Sequence, residues 1–251
     1  LHCHIGSQIL AVEPFGMAAA AIMDFASDLK RNTGCIVREV NLGGGLGVRY
    51  RSGEERIPLG KYASAISRVI REKCLAHGLE MPRLMVEPGR YIVGEAGTTL
   101  YTVGAIKQVP GGRKYVAVDG GLADNPRVAL YQASYEAVVV TRVLAPPEER
   151  VSIAGRHCES GDMLIWDIPL PRLQPGDVLA VLTTGAYNYS MSSNYNRYPR
   201  PAVVFVKGGM ADVVVARESY QDVAARDRIP ARLELPYEAS SSSCASAADS
   251  A

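Results

Sequence analysis

The strongest constraint on the fold is a change in hydrophobic pattern near residue 97 of this 251-residue chain. Upstream of that point, helical and strand patterns alternate along the sequence. Residues 14–31 and 59–77 have the apolar spacing of amphipathic helices, whereas 36–45 and 83–90 have the pattern of short strands that end in Gly-Gly-Gly or Pro-Gly-Arg. Alternation of this kind predicts β-α units built around a parallel sheet.

Downstream of that point the apolar segments are short, β-rich and separated by Gly, Pro and Asp turns. They lie at 98–109, 113–121, 135–144, 150–155, 177–187 and 201–209. This spacing predicts a β-sandwich or β-barrel. The expected fold class is therefore α/β plus β, with an α/β region at 1–96, a β domain at 97–230 and a Ser/Ala-rich, disordered tail at 231–251.

Composition and charge exclude several classes of function. The chain has 27 basic and 26 acidic residues and a net charge of +1, so it lacks the basic excess that nucleic-acid binding requires. No apolar run approaches the roughly 20 residues of a membrane-spanning helix, and no signal peptide opens the chain. The cysteines are scattered without a CxxC pair, which argues against a zinc ribbon or a disulfide scaffold and favours the cytoplasm. They are Cys3, Cys35, Cys74, Cys158 and Cys244.

The chain opens on Leu1 within an apolar-flanked run rather than on a methionine. We therefore expect it to be a fragment that enters a longer protein in the middle of a structural element.

Two motifs in the α/β region suggest an anion site. In HIGSQ, His4 and Ser7 follow an apolar strand start, although a histidine there also fits an ordinary, fully bonded turn. In LGGGLG, the glycines Gly43–Gly45 let the backbone approach an anion closely. Glycine-rich strand ends are common, so this signal is weak by itself. The pattern is not GxGxxG before a helix, which argues against a Rossmann nicotinamide site.

Three further motifs carry candidate chemistry. EPGR places Glu87 and Arg90 at the end of a predicted parallel strand, where catalytic groups are found in barrel folds; an isolated surface salt bridge is the alternative. HCESGD places Cys158 beside Glu159, although a single cysteine is also compatible with a structural role. GAYNYSMSSNYN, which includes Tyr187, suits ligand contacts or a structural turn.

Taken in order, these motifs resemble the diaminopimelate decarboxylase family over residues 1–227. The matching segments are LHCHIGSQ, NLGGGLG, EPGR, VDGGLADNPRVALY, HCESGD, GAYNYSMSSNYN and GGMADVVVARESYQD. Members are pyridoxal 5'-phosphate enzymes that have an alanine-racemase-type (β/α)8 barrel and a C-terminal β domain. The resemblance therefore implies that 1–96 is the C-terminal part of that barrel and that 97–230 is the β domain.

The resemblance also implies the residues that hold the cofactor. His4 would lie against the cofactor ring, Glu87 would face its pyridine nitrogen, and Tyr187 would contact the phosphate or the substrate. The others would surround the phosphate. The full implied set is His4, Ser7, Gly43, Gly44, Gly45, Glu87, Pro88, Gly89, Arg90 and Tyr187.

The implied reaction is the decarboxylation of meso-diaminopimelate to L-lysine. The substrate has a distal carboxylate and a distal ammonium, which require cationic and acidic partners respectively. The implied substrate-binding residues are Arg90, Arg127, Tyr131, Glu159 and Tyr187, and the implied catalytic residues are Cys158 and His4. Family members are homodimers in which the cysteine reaches the partner's active site.

Two alternatives to this reaction stay open. One is a related decarboxylase acting on ornithine, arginine or carboxynorspermidine. The other is a non-catalytic binding protein of the same fold.

The chain departs from the family pattern in its lysines. The family binds pyridoxal phosphate covalently through a lysine on an early barrel strand, upstream of HIGSQ. Here the lysines lie in predicted helices or in the β region, none in the family's place. They are Lys30, Lys61, Lys73, Lys107, Lys114 and Lys207. We therefore predict that the isolated 251-residue chain cannot decarboxylate an amino acid efficiently.

Overall fold

The structure is a computed structural model that describes residues 1–233. Most of the predicted disordered tail, residues 234–251 with Cys244, lies outside the described residues. The first three residues of that predicted tail, Ala231–Leu233, form a 3₁₀ turn.

The two predicted helices are confirmed. Helix α1 spans Glu13–Thr33 and helix α2 spans Leu59–His77, each followed by a glycine in the left-handed conformation at Gly34 and Gly78. Most of the apolar positions that predict the helices lie on their buried faces, but Phe25 of α1 is 56% exposed. The two helices pack against each other through these faces, and the rings of Phe15 and Tyr62 meet edge-on with their centroids 5.0 Å apart.

The two predicted strands of this region are shorter than the sequence pattern suggested. Strand β1 spans Glu39–Asn41 and pairs in parallel with β2, Arg83–Met85. Beyond each strand the chain turns into the glycine loop or into the short helix α3, Gly89–Val93. The strand prediction for 36–45 and 83–90 was therefore too long, because glycine and proline end the ladder early.

The β-rich prediction is confirmed as a six-stranded sheet in the order β5-β8-β3-β4-β6-β7. All neighbouring strands pair antiparallel except β4 and β6, which are parallel. The edge strands β5 and β7 contact each other, so the sheet curls round its own apolar core. The strands are β3 Thr98–Gln108, β4 Lys114–Val118, β5 Ala137–Val139, β6 Glu149–Ala154, β7 Met163–Leu170 and β8 Val178–Leu182.

The remaining elements lie at turns of the sheet or beyond it. Helix α4, Arg127–Tyr131, follows β4. A separate hairpin is formed by β9, Val203–Lys207, and β10, Met210–Val215, and helix α5, Tyr220–Ala224, comes after it.

Strand β7 is not predicted from the sequence, because Asp-Ile-Pro interrupts its apolar pattern. Within the described part of the chain, no helix is long and apolar enough to cross a membrane.

The sheet core should dominate stability. Leu179 of β8 is fully buried at 0% exposure, while Leu144 is 98% exposed. We expect Leu179→Ala to lower the free energy of unfolding by about 2–5 kcal/mol, because it removes buried methyl groups and leaves a cavity. The matched Leu144→Ala should change it by less than about 0.5 kcal/mol. Urea unfolding followed by circular dichroism measures both, and equal losses would contradict the assigned core.

Candidate functional site

A cavity of about 590 Å³ lies where the loops of the α/β region meet the β-rich part of the chain. Six of the site residues predicted from the sequence line this cavity. Two further lining residues, Gln8 and Met191, belong to the HIGSQ and GAYNYSMSSNYN motifs but were not predicted individually. The lining residues are His4, Ser7, Gln8, Tyr50, Glu54, Arg90, Arg127, Tyr131, Ala133, Ser134, Tyr187 and Met191.

The floor of the site depends on close backbone contacts made by the glycine loop. A side chain at any of Gly43–Gly45 would collide with a backbone carbonyl of a neighbouring loop, that of Cys3, Glu87 or Gly6 respectively. At Gly43 the added carbon would lie 2.6 Å from the Cys3 oxygen. The glycines therefore allow the HIGSQ, LGGGLG and EPGR loops to converge.

Hydrogen bonds orient the two titratable side chains at this junction. The Gly44 amide donates to Nδ1 of His4 at 3.1 Å, so Nδ1 is an acceptor and a neutral His4 carries its proton on Nε2. The side-chain amide of Asn41 donates to Oε1 of Glu87 at 2.6 Å, and the Glu87 amide donates to the Gly43 carbonyl at 2.7 Å. Asn41 thus sets the direction of the Glu87 carboxylate.

Two arginines form the cationic wall of the cavity. Arg90 and Arg127 are each only 7% exposed. Arg90 donates to the Ser7 hydroxyl at 2.7 Å and to the Tyr50 hydroxyl, and Arg127 donates to the hydroxyl of Tyr135 at 3.0 Å. All of these acceptors are neutral.

The ring centre of Tyr187 lies 4.7 Å from the guanidinium carbon of Arg90 and 5.6 Å from that of Arg127. Its backbone has a φ of 61°, a left-handed conformation that is uncommon for a non-glycine residue. The preceding turn is held by Gly185, whose amide donates to the Gly94 carbonyl at 3.0 Å. This hydrogen bond ties the turn after β8 to the C-terminal end of α3, and it places the Tyr187 ring close to both arginines.

The two arginines have no direct ion-pair partner within residues 1–233, although Glu54 also lines the cavity. Neither Arg90 nor Arg127 forms an ion pair with a carboxylate of the described chain. A buried cation without a counter-charge is costly. The arrangement can therefore bind an anion, and planar guanidinium groups match a carboxylate or a phosphate.

Cys158 and Glu159 lie elsewhere. They sit in the loop between β6 and β7 and do not line the cavity. Sγ of Cys158 donates to Oε1 of Glu159 at 3.5 Å, and the hydroxyl of Tyr195 donates to the same oxygen. The hydrogen bond from Tyr195 is the main reason that the pKa of Glu159 lies below its ordinary value. The structure therefore places Cys158 and Glu159 apart from the predicted site residues that line the cavity.

The loop carrying Cys158 is anchored by a buried carboxylate. Asp162 accepts hydrogen bonds from the amides of Leu122 and His157, at 2.6 and 2.7 Å. The Arg156 amide donates to the Gly120 carbonyl at 2.9 Å. These bonds join the HCESGD and VDGG segments, so two of the sequence motifs form one structural unit.

Several functional candidates were missed from the sequence. Tyr50, Gln8 and Met191 line the cavity, and Asn41 orients Glu87. Tyr50 lies in the polar segment VRYRSGEER, and the one signal it carries in the sequence is that of an aromatic residue just after a glycine-rich strand end. Of the six lysines, none lines this cavity: three lie in α1 and α2 and three in the strands β3, β4 and β9.

Among residues 1–233, no group of three or more His, Cys, Asp or Glu side chains is arranged so that it could hold a metal ion.

Comparison with known proteins identifies related sequences. The family described as "Pyridoxal-dependent decarboxylase, C-terminal sheet domain" matches residues 22–185. The diaminopimelate decarboxylase of Bacillus subtilis is 50% identical over 237 residues, which are 94% of this chain and 52% of that protein. The chain thus spans about half the length of the curated relatives it matches.

Solved structures give the same result. A crystal structure of diaminopimelate decarboxylase from M. jannaschii in complex with L-lysine superposes with a TM-score of 0.86 at 38% identity, covering 93% of this chain and 52% of that one. A lysine/ornithine decarboxylase from Vibrio vulnificus, complexed with cadaverine, has a TM-score of 0.68 at 22% identity, covering 80% of this chain and 52% of that one. The second likeness concerns the fold alone.

An acid-stability prediction follows from the segment next to Tyr195. Glu218 accepts hydrogen bonds from Arg200 and Asn194, and these lower its pKa from 4.5 to about 2. Because the folded-state pKa is depressed, this carboxylate stabilises the fold above pH 4.5, and the contribution disappears as the pH falls through about 2. We expect Glu218→Gln to cost roughly 1 kcal/mol near neutral pH, a modest value because the pair is partly exposed.

Denaturant unfolding at several pH values measures this contribution. The difference between wild type and Glu218→Gln should shrink as the pH falls from 4.5 toward 2. Glu72→Gln is the matched control, because Glu72 forms only a solvent-exposed 3.9 Å contact with Arg68. A pH-independent difference for Glu218→Gln would contradict the assignment.

Proposed function

The chain belongs to the pyridoxal-dependent decarboxylase family, and from this premise we propose that it serves the decarboxylation of meso-2,6-diaminopimelate to L-lysine and carbon dioxide, the last step of lysine biosynthesis. In this proposal pyridoxal 5'-phosphate is the cofactor, residues 1–96 are the C-terminal part of its (β/α)8 barrel, and 97–230 are the β domain. The free thiols of Cys3, Cys35 and Cys74 support a cytoplasmic location.

The observation that carries the proposal is the buried arginine pair. Arg90 and Arg127 face one cavity, donate to neutral hydroxyls and form no ion pair in the described chain. Glu54 also lines the cavity, but its carboxylate accepts hydrogen bonds from the amides of Tyr50 and Arg51. A substrate with a distal carboxylate supplies the missing negative charge, and Tyr131 stands beside Arg127, with its ring centre 5.7 Å from the guanidinium carbon. Ornithine and arginine have no distal carboxylate, so they would leave this charge unpaired.

The residues at the loop junction fit pyridoxal phosphate. The converging backbone of Gly43–Gly45, the Ser7 hydroxyl and the Pro88–Arg90 segment form a polar, closely packed cradle for a phosphate. His4 lies at its edge with its ring fixed by the Gly44 amide. When bound, pyridoxal phosphate supplies a ring that withdraws the electrons released as carbon dioxide leaves.

In this arrangement each side chain has a separate task. Glu87, oriented by Asn41, holds a proton at the pyridine nitrogen, and a carboxylate suits that task because it stabilises the protonated ring. The His4 ring, held by the Gly44 amide, would pack against the cofactor ring. Tyr187, close to both arginines, contacts the phosphate or the substrate.

We assign the second group of residues to the active site of a partner subunit in a homodimer. Cys158 is exposed and does not line the cavity of its own chain, which supports a role across an interface. Its thiol donates the proton that replaces the departing carboxyl group, since a thiol gives up a proton readily near neutral pH. Glu159 binds the distal ammonium of the substrate.

Release of carbon dioxide by the full-length protein loaded with pyridoxal phosphate tests the proposal. We expect turnover of meso-diaminopimelate and little or none of ornithine, arginine or carboxynorspermidine. Preference for one of those three would establish the related decarboxylase instead. Absence of turnover of all four, with a folded protein, would favour a non-catalytic binding protein.

The same assay applied to the isolated 251-residue chain should give no turnover of meso-diaminopimelate at ordinary enzyme rates. The reason is that none of its lysines lines the cavity, so the described chain offers no amine to hold the cofactor covalently. Turnover by this chain comparable to that of the full-length protein would show that the assignment of the lysines is wrong.

The arginine pair gives a prediction in which stability and binding change in opposite directions. Arg127→Met in the full-length protein should weaken binding of L-lysine or diaminopimelate at least about tenfold, because it removes a charge-assisted hydrogen-bond donor. It should leave the ligand-free protein as stable or more stable, since an unpaired buried charge is removed. Calorimetric titration and thermal unfolding measure the two effects.

Arg113→Met is the matched control for Arg127→Met. Arg113 also lies over an aromatic ring, that of Trp166, but it pairs with Asp167 on the surface of the sheet. Its replacement should leave ligand affinity unchanged. Equal effects of the two substitutions on affinity would remove the anion site from the cavity.

A further inference from the structure

The carboxylate of Glu159 has two oxygens with different surroundings. Oε1 accepts hydrogen bonds from the Tyr195 hydroxyl and from Sγ of Cys158. Oε2 is buried and has no hydrogen-bond partner among the described residues. The carboxylate is therefore held through Oε1, and its orientation depends on these two bonds.

Tyr195 is itself fixed by its neighbours. It begins the 3₁₀ turn Tyr195–Arg197, and its ring packs on the ring of His157 with centroids 5.5 Å apart. His157 is only 8% exposed, and Tyr198 packs on it from another side at 5.4 Å. The preceding residue, Asn194, donates to Glu218 at 2.6 Å. The hydroxyl of Tyr195 thus reaches Glu159 from a well-supported turn.

We propose that Tyr195 is a positioning residue for the reaction: its hydroxyl holds Oε1 of Glu159 and so fixes the carboxylate in the orientation that meets the distal ammonium of the substrate. The inference rests on the proposed function, in which Glu159 serves a partner's active site. Tyr195 acts through Glu159 and touches no reacting atom.

Hydrogen-bond strengths explain why the tyrosine is needed. Without its hydroxyl, Oε1 would keep only the thiol of Cys158, which is a weak donor. The carboxylate would then rotate among several orientations, and ordering it on binding would cost conformational entropy. The groups that act on the Glu159 carboxylate are the Tyr195 hydroxyl, the Cys158 thiol, the backbone amide of Glu159 itself and His157, and the Tyr195 hydrogen bond has the largest effect on its pKa.

The test uses the full-length holoenzyme and the substitution Tyr195→Phe, which removes one hydroxyl and keeps the ring on His157. Tyr198→Phe is the matched control, because Tyr198 packs on the same histidine but does not bond to Glu159. Calorimetric titration with L-lysine, which also carries a distal ammonium, measures binding without turnover. Steady-state kinetics with diaminopimelate separate KM from kcat, and thermal unfolding checks the fold.

We expect Tyr195→Phe to weaken L-lysine binding and to raise KM about five- to tenfold, with a smaller change in kcat, an unchanged melting temperature and wild-type behaviour of Tyr198→Phe. The loss of lysine affinity on acidification should also begin at higher pH in Tyr195→Phe, because the Tyr195 hydrogen bond keeps the pKa of Glu159 low.

A double-mutant cycle distinguishes positioning from a general structural role. In a Glu159→Gln background, Tyr195→Phe should add less than about a twofold further loss of affinity, since the two residues act through one contact. Independent losses, or equal behaviour of Tyr195→Phe and Tyr198→Phe, would overturn the inference. A wild-type holoenzyme that neither binds lysine nor decarboxylates diaminopimelate would instead overturn the proposed function.

Discussion

The convergence of three loops on the glycines Gly43–Gly45 determines the geometry of the site. Any side chain at these positions would meet a backbone carbonyl of the loops that carry His4 and Glu87. Once the loops meet, the next residues along the chain have little freedom. Arg90 follows the Glu87 turn directly and enters the cavity at the start of α3, where it reaches Ser7 of the first loop. A packing constraint therefore fixes the position of the charge.

The second part of the chain completes this arrangement through electrostatics. Arg127 comes from α4, which follows β4 of the curled sheet, and Tyr187 comes from the turn after β8. The tyrosine ring is within cation–π distance of both guanidinium groups, so it lowers the cost of bringing two like charges to one wall. It does not neutralise them. The site is consequently organised before any anion arrives, and a preorganised pair of donors loses little entropy on binding.

The sequence predicted those features whose physical signal is local. Both long helices follow from their apolar spacing and end at Gly34 and Gly78. The β-rich half follows from short apolar runs between turns. The strand β7 was missed because Asp167 and Pro169 interrupt its pattern. Its place in the sheet is decided by pairing with β6, which depends on residues distant from it in the sequence.

In the candidate site, too, contacts between distant residues could not be predicted from the sequence. Motifs identified His4, Arg90, Arg127 and Tyr187, and the structure places these side chains around one cavity. Tyr50 carried almost no signal, because a tyrosine in a polar loop acquires meaning only when Arg90 is found beside it. Hydrogen bonds between residues far apart in the chain have no periodicity from which they can be inferred.

The separation of Cys158 and Glu159 from the cavity is the feature that most affects the mechanism. Their loop is held firmly: Asp162 bonds to backbone amides on both of the segments that it joins, and Tyr195 and the Asn194–Glu218 bond support it from the other side. A loop with so many internal partners would have to break several of these hydrogen bonds to swing toward the cavity of its own chain, and loss of the buried one from His157 to Asp162 alone would cost on the order of 1–3 kcal/mol. Rigid presentation toward a second subunit requires none of these bonds to break. The internal hydrogen bonding of the loop thus favours a shared active site over a mobile one.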